Sequence, residues 1–117
     1  MTRLLVIAGL LGALAIPVAA QGAILEKGAG TTCASGVGTW TFVNNKTEGA
    51  AAGSLTVFFD NEPFPPPTQF GPVGPTVVNK SVQRFTLFTN NRATLLSAST
   101  DLPGKLVLES VGCAPFA

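Results

Sequence analysis

Histidine and tyrosine are both absent from this 117-residue chain. Without histidine, the chain lacks the commonest general base near neutral pH, and with it the Ser-His-Asp and Cys-His arrangements of nucleophilic catalysis. Zinc sites lose their main nitrogen ligand for the same reason. The two cysteines form no Cys-x-x-Cys motif, so a pair of free thiols holding a metal or cycling redox state is a weak alternative. These absences favour a non-enzymatic protein with no metal and no cofactor.

Charge is also scarce, since only 11% of the residues are Asp, Glu, Lys or Arg. Seven basic side chains face six acidic ones, and they form no basic run. Nucleic acids and anionic membranes are recognised by clustered lysine and arginine, so neither is an expected partner. A net charge near zero leaves self-association or attachment to a surface unopposed by repulsion.

The first twenty residues have the three parts of a secretory signal peptide in order. Arg3 precedes an uncharged apolar run over residues 4–16, and Pro17 and the small residues 18–20 follow it. The run is shorter than the roughly 20 residues that span a bilayer, which disfavours a retained anchor. The sequence therefore predicts cleavage before Gln21 and a mature chain without an integral membrane segment. Its predicted location is extracellular, or periplasmic in a double-membrane bacterium.

Cys33 and Cys113 are the only cysteines, and they flank nearly the whole of the mature chain. Export removes a chain from the reducing cytosol, so a disulfide between them is expected. The 97 residues left after cleavage suffice for one domain and not for two. We predict a flexible, glycine-rich leader over residues 21–32 and a single domain over residues 33–117.

Short segments of period-2 hydrophobicity dominate that domain, and no segment has the length and period of an amphipathic helix. In the first segment, Trp40 and Phe42 alternate with threonines and a valine. The pattern predicts an all-β fold, a small antiparallel β-sandwich or partly open barrel of about five to seven strands. The predicted strand segments are Gly38 to Asn44, Ser54 to Asp60, Thr76 to Thr89, Arg92 to Ser99 and Lys105 to Val111.

Two local features constrain how these strands connect. The apolar parity changes within residues 76–89, which predicts a β-bulge near Gln83 or Arg84. Asn90 and Asn91 follow at once, and asparagine tolerates the positive φ that two-residue hairpins require. We therefore expect an antiparallel hairpin between this strand and the next.

A proline-rich stretch at residues 61–75 interrupts the strand pattern with six prolines. Proline cannot donate to a β-ladder, so the stretch is predicted to be a loop with some polyproline character. Phe64 and Phe70 lie within it and are candidate apolar anchors of a binding loop.

Apolar side chains also fall on both faces of the predicted sheet. Phe58, Phe88 and Leu95 lie opposite the face that carries the other core candidates. The outer face of a two-layer sandwich is normally polar. Three explanations stay open: a register error of one residue, cover by the proline-rich loop, or a partner surface formed by these three residues.

Few other residues offer chemistry. Asp60, Glu62, Asp101 and Glu109 could in principle supply a carboxylate pair for hydrolysis, although most lie where solvated turn residues are ordinary. The oxygens of residues 60–62 form no calcium-loop motif. Asn45 and Asn79 each begin a glycosylation sequon, which matters only in an organism that runs that pathway.

Two functions of different classes follow from the sequence. The first is a secreted, non-enzymatic module that binds or self-assembles at the cell surface or in the extracellular matrix, its partner being a second copy, another protein or a surface polymer. The second is a secreted inhibitor or ligand-binding protein that presents the loop at residues 61–75. A small carboxylate-dependent hydrolase is a third and weaker alternative.

Overall fold

The computed structural model describes residues 22–114, and the predicted signal peptide lies outside this range. Two packed β-sheets make up the described residues, which contain no helix. No membrane-spanning helix is therefore found between residues 22 and 114. The strands are β1 (Leu25–Lys27), β2 (Thr32–Cys33), β3 (Val37–Asn45), β4 (Leu55–Asn61), β5 (Thr68–Val73), β6 (Val77–Val78), β7 (Val82–Asn90), β8 (Ala93–Thr100) and β9 (Lys105–Ala114).

The sheets contain five and four strands. The first has the order β1-β9-β3-β7-β6 and the second the order β2-β8-β4-β5. All the pairings are antiparallel except that of β1 with β9. The predicted all-β antiparallel sandwich is confirmed. Its strand count exceeds the predicted five to seven because β1, β2 and β6 are only two or three residues long.

The core fills the space between the sheets with the inward residues of the long strands. Trp40 and Phe42 of β3 are fully buried, as their alternation with threonine predicts. Trp40 packs edge-on against Phe59 of β4 at 4.8 Å between ring centroids, a favoured aromatic geometry. The other large buried apolar side chains are Leu55, Val57, Phe85, Leu87, Leu95, Leu102 and Leu106.

The predicted disulfide between Cys33 and Cys113 is confirmed. Cys33 lies on β2 in the second sheet, whereas Cys113 lies near the end of β9 in the first. The bond therefore crosses between the sheets at one end of the sandwich. Cys33 is fully buried among core residues and Cys113 is exposed.

Buried amide side chains hold the loops at the other end. Gln83 is fully buried on β7, where its amide bonds only to backbone groups of residues 50–53. Asn44, also fully buried, donates to the carbonyl of Pro103 at 2.8 Å and accepts from the Thr100 hydroxyl at 2.5 Å. Since a buried amide without partners is costly, these bonds fix the loops to the core.

The prediction of a flexible leader over residues 21–32 was wrong for its described part. Ala23 is buried and its carbonyl accepts from Thr100 N, while β1 pairs with β9. Gly28 and Gly30 both have positive φ, which lets the chain turn from the first sheet to the second between β1 and β2. Glycine here serves a tight turn within the fold and does not mark a mobile segment.

The single strand predicted over residues 76–89 is in fact two strands, and no bulge occurs at Gln83 or Arg84. A turn at residues 79–81 separates β6 from β7, and the Asn79 side chain accepts from the backbone N–H groups of Ser81 and Val82. The side chains alternate regularly along β7, so the apparent change of parity arises because Val82 lies on the outer face and the polar Gln83 takes an inward position. Beyond the turn, β7 pairs with β3 in unbroken register.

Asn90 and Asn91 do not form the predicted hairpin. β7 belongs to the five-stranded sheet and β8 to the four-stranded one, so the two asparagines carry the chain across the sandwich. Asn91 does adopt a positive φ of 64°. The turn chemistry was therefore predicted correctly, whereas the strand pairing that it serves was not.

The proline-rich stretch also contains a strand, contrary to its prediction as a loop throughout. β5 (Thr68–Val73) pairs with β4 and forms an edge of the second sheet. Its ladder is irregular opposite residues 55–57, where Gly71 and Pro72 fall. An edge position and a local irregularity are the two places where a sheet accepts proline.

Candidate functional site

Of the four carboxylates considered for hydrolysis, Asp60 and Glu62 lie two residues apart at the end of β4, whereas Asp101 and Glu109 lie elsewhere in the fold. Asp101 accepts from the backbone N–H of Ser54 at 2.9 Å. Asp60 lies on β4 beside Thr94, and Glu62 approaches Arg92 at 3.9 Å on the surface. Within residues 22–114, no group of three His, Cys, Asp or Glu side chains is placed to hold a metal ion.

Glu109, the fourth carboxylate, forms a bidentate ion pair with Arg84. Arg84 Nε donates to Oε1 at 2.9 Å and Nη2 donates to Oε2 at 3.1 Å. The pair spans β3, where Val43, the cross-strand neighbour of Arg84, is buried although it belongs to the outer face. The hydrogen bond from Arg84 lowers the pKa of Glu109 below its ordinary value of 4.5, desolvation acts in the opposite direction, and the charge of Arg84 lowers it further.

This ion pair predicts a pH dependence of stability. A carboxylate whose pKa is depressed by folding stabilises the fold above its unfolded pKa, and the contribution is lost as pH falls through the lower folded pKa. We expect the urea midpoint of the wild type to fall more steeply than that of Glu109→Gln as pH drops below about 4.5. High salt should shrink the difference, because the pair is exposed. If the urea midpoints of the wild type and Glu109→Gln fall in parallel as the pH drops, the ion pair does not contribute to the pH dependence of stability.

The proline-rich loop is fixed at its base by hydrogen bonds to the β7–β8 crossover. The buried Asn61 amide donates to the carbonyls of Asn90 at 2.7 Å and Arg92 at 3.0 Å. The backbone N–H of Glu62 also donates to Arg92, at 3.0 Å, and Phe64 N–H donates back to Asn61 at 2.9 Å. A loop held in this way presents a defined surface.

The two predicted anchors of this loop have different environments. Phe64 is 58% exposed among the prolines that precede β5. Phe70 lies on β5 and packs edge-on against Phe59, with ring centroids 5.0 Å apart. It is half-buried against the core. Phe64 is therefore the apolar side chain that the loop exposes to solvent, and Phe70 supports the edge of the sandwich.

The predicted partner face of Phe58, Phe88 and Leu95 is not formed. Leu95 is fully buried, because a register shift in β8 beside Leu96 turns it toward the core. Phe58 is half-buried on β4 of the second sheet. Phe88 is 63% exposed on β7 of the first sheet. The three residues therefore do not form one surface, and Phe88 is the most exposed of them.

An open groove of about 580 Å³ lies at the end of the sandwich opposite the disulfide. Lys46, Lys80 and Lys105 line it together with Glu48. No sequence pattern predicts this cluster, because its lysines come from three separate parts of the chain. One of them approaches Glu26 at 3.8 Å, and all are near bulk solvent, so attraction for an anion is weak here.

The chain matches no protein-family model, no curated protein and no solved structure.

Proposed function

We propose that the mature chain is an exported, non-enzymatic module that acts by binding at the cell surface or in the extracellular matrix. The signal-peptide pattern at residues 1–20 supports export, and the Cys33–Cys113 disulfide is compatible with an oxidising compartment. Asp101 and Glu109 are engaged in hydrogen bonds within the fold, which supports binding over hydrolysis. Turnover that Asp60→Asn or Glu62→Gln abolishes would restore the hydrolase alternative.

The single observation that carries the proposal is the exposure of Phe64 on an anchored loop. An aromatic ring with 58% of its surface open to water gains free energy when a partner encloses it. Full burial of such a side chain contributes roughly 1.5 to 3 kcal/mol. Prolines 63, 65, 66 and 67 surround the ring, and their fixed φ angles reduce the entropy lost on binding.

The loop therefore presents the Phe64 ring at a rigid, apolar tip. Its hydrogen bonds to Asn90 and Arg92 resist displacement when a partner contacts the tip. The partner that suits it is a protein or polymer with an apolar cleft as wide as one phenyl ring. Binding of this kind depends little on salt, because no charged side chain stands within residues 63–67.

The test is a binding titration of labelled residues 21–117 on the envelope fraction of the producing cells. Phe64→Ser should weaken binding about tenfold or more, because the buried ring is lost. Ile24→Ser is the matched control, since Ile24 is 61% exposed and lies far from the loop in the sequence. We expect it to bind like the wild type. Equal binding by Phe64→Ser, or an equal loss in both variants, would contradict the proposal.

A further inference from the structure

One strand of the first sheet has an open edge. β7 pairs along one side with β3 over its whole length, but on its other side the short β6 covers only Gln83 and Arg84. Successive residues of a strand point their backbone groups to opposite sides. Since Arg84 accepts from Thr76 N on the β6 side, the N–H and C=O groups of Thr86 and Phe88 face that side too. No backbone partner for these four groups is found among residues 22–114.

The other edges of the two sheets carry features that discourage pairing. On β9, which is open on one side beyond Val107, these are Glu109 and the bulge beside it. β5 carries Pro72 and an irregular ladder, which discourage pairing with another chain. β2 and β6 have two residues each, and β1 has three, with Glu26 and Lys27 among them. The stretch of β7 from Phe85 to Asn90 has no charge, no proline and no bulge. None of these safeguards therefore protects this edge of β7 from pairing with another chain.

We propose that this edge pairs with the same edge of a second copy of the chain, antiparallel and with the two-fold axis at Phe88. This inference rests on the proposed function, because it assumes that the module acts by associating with other molecules. Phe88 of each copy would exchange two backbone hydrogen bonds with the other, and Thr86 would pair with Asn90 on either side of the axis. The two five-stranded sheets would then form one continuous sheet.

A second copy fits this edge better than an unrelated peptide for three reasons. The open edge of β7 is self-complementary, because the two-fold axis places the exposed Phe88 rings opposite each other as a favourable cross-strand aromatic pair. Arg84 is already neutralised by Glu109, so no unpaired charge faces its copy. The mature chain has six basic and six acidic side chains, which removes long-range repulsion between copies.

The contact involves about five residues on each strand, far fewer than the roughly 20 to 30 per side of a stable interface. We therefore expect a reversible dimer whose population rises with concentration. Sedimentation equilibrium on disulfide-bonded residues 21–117, from about 10 μM to about 1 mM, spans the weak affinities expected of such a contact. The weight-average mass of the wild type should rise toward twice the monomer mass.

Phe88→Lys should weaken this association at least about tenfold, because lysine on an edge opposes strand pairing. Leu96→Lys is the matched control, since Leu96 is 43% exposed but lies on β8, between β2 and β4 in the other sheet. Thr86→Pro is a second test and should also weaken association, because the N–H group that proline lacks lies on the open side and not in the ladder with β3. Circular dichroism and the urea midpoint identify variants that remain folded.

Amide hydrogen exchange gives a readout at the residues themselves. Thr86 and Phe88 N–H groups should exchange freely in dilute protein and become protected in concentrated protein. A wild type that stays monomeric at the highest concentration overturns the inference, even where Phe64-dependent binding to the envelope persists. Association that Phe88→Lys leaves unchanged, or protection confined to another edge, overturns it as well.

Discussion

Replacement of the disulfide, by Cys33→Ala with Cys113→Ser, should lower the free energy of unfolding by about 4 kcal/mol. The bond closes a loop of 80 residues, and the cross-link removes much of the freedom of the unfolded chain. Alanine suits the fully buried position 33 and serine the exposed position 113. Urea unfolding followed by Trp40 fluorescence measures the change, since this only tryptophan is fully buried.

Reduced wild-type protein is the control for that substitution. If the loss comes from the cross-link, reduction should shift the urea midpoint about as far as the double replacement does. A change below about 1 kcal/mol in both would show that packing between the sheets alone sets their stability. A large loss only in the double variant would assign the effect to the cavity at position 33.

Gln83→Leu should cost about 2 to 4 kcal/mol of unfolding free energy, although it places an apolar side chain in the core. The Gln83 amide donates to the carbonyls of Ala50 and Ala51 at 3.2 and 3.0 Å, and it accepts from Gly53 N–H at 2.9 Å. Leucine would leave these three backbone groups without their partner. The loss is measured by the same urea titration.

Gln69→Leu is the matched control, because Gln69 is exposed and its only side-chain bond is to Gly71 at 3.2 Å. We expect that variant to stay within about 0.5 kcal/mol of the wild type. A Gln83→Leu protein as stable as the wild type would contradict the stabilising role that we assign to the hydrogen bonds of the Gln83 amide. Faster proteolysis at residues 50–53 in Gln83→Leu alone would locate the loosened loop.

The parts of the fold that the sequence predicts correctly are those that local patterning decides. Trp40 and Phe42 alternate with threonines, so only one register of that strand buries both rings. Leu55, Val57 and Phe59 meet the same condition on β4 and are likewise buried. The two cysteines left a single intramolecular pairing. In each case the residues themselves exclude the alternatives.

The wrong predictions concern connections, which depend on residues far apart in the chain. Asn90 and Asn91 reverse the chain direction equally well in a hairpin and in a crossover between sheets. No local sequence pattern indicates that β7 pairs with β3, which lies more than forty residues earlier in the chain. Leu95 was misplaced for the same reason, because the assumed hairpin set its register and hence its face.

The candidate site was only partly predictable. Phe64 could be singled out because prolines surround it, and it is exposed. Phe70 has similar neighbours, yet it lies on a strand that becomes visible only through its pairing with β4. The open edge of β7 depends on strand order, which no local pattern encodes. The Asn61 amide donates hydrogen bonds to Asn90 and Arg92, which lie about thirty positions later in the chain, and no sequence pattern predicts these bonds.

One titration tests most directly whether the molecule acts through its exposed loop. Wild type, Phe64→Ser and Gln83→Leu are compared for binding to the envelope fraction under conditions where all three are folded. We predict that Phe64→Ser keeps its urea midpoint and loses binding about tenfold or more, whereas Gln83→Leu loses stability and keeps wild-type affinity. Binding that is unchanged in Phe64→Ser and weakened in Gln83→Leu would contradict the proposed function.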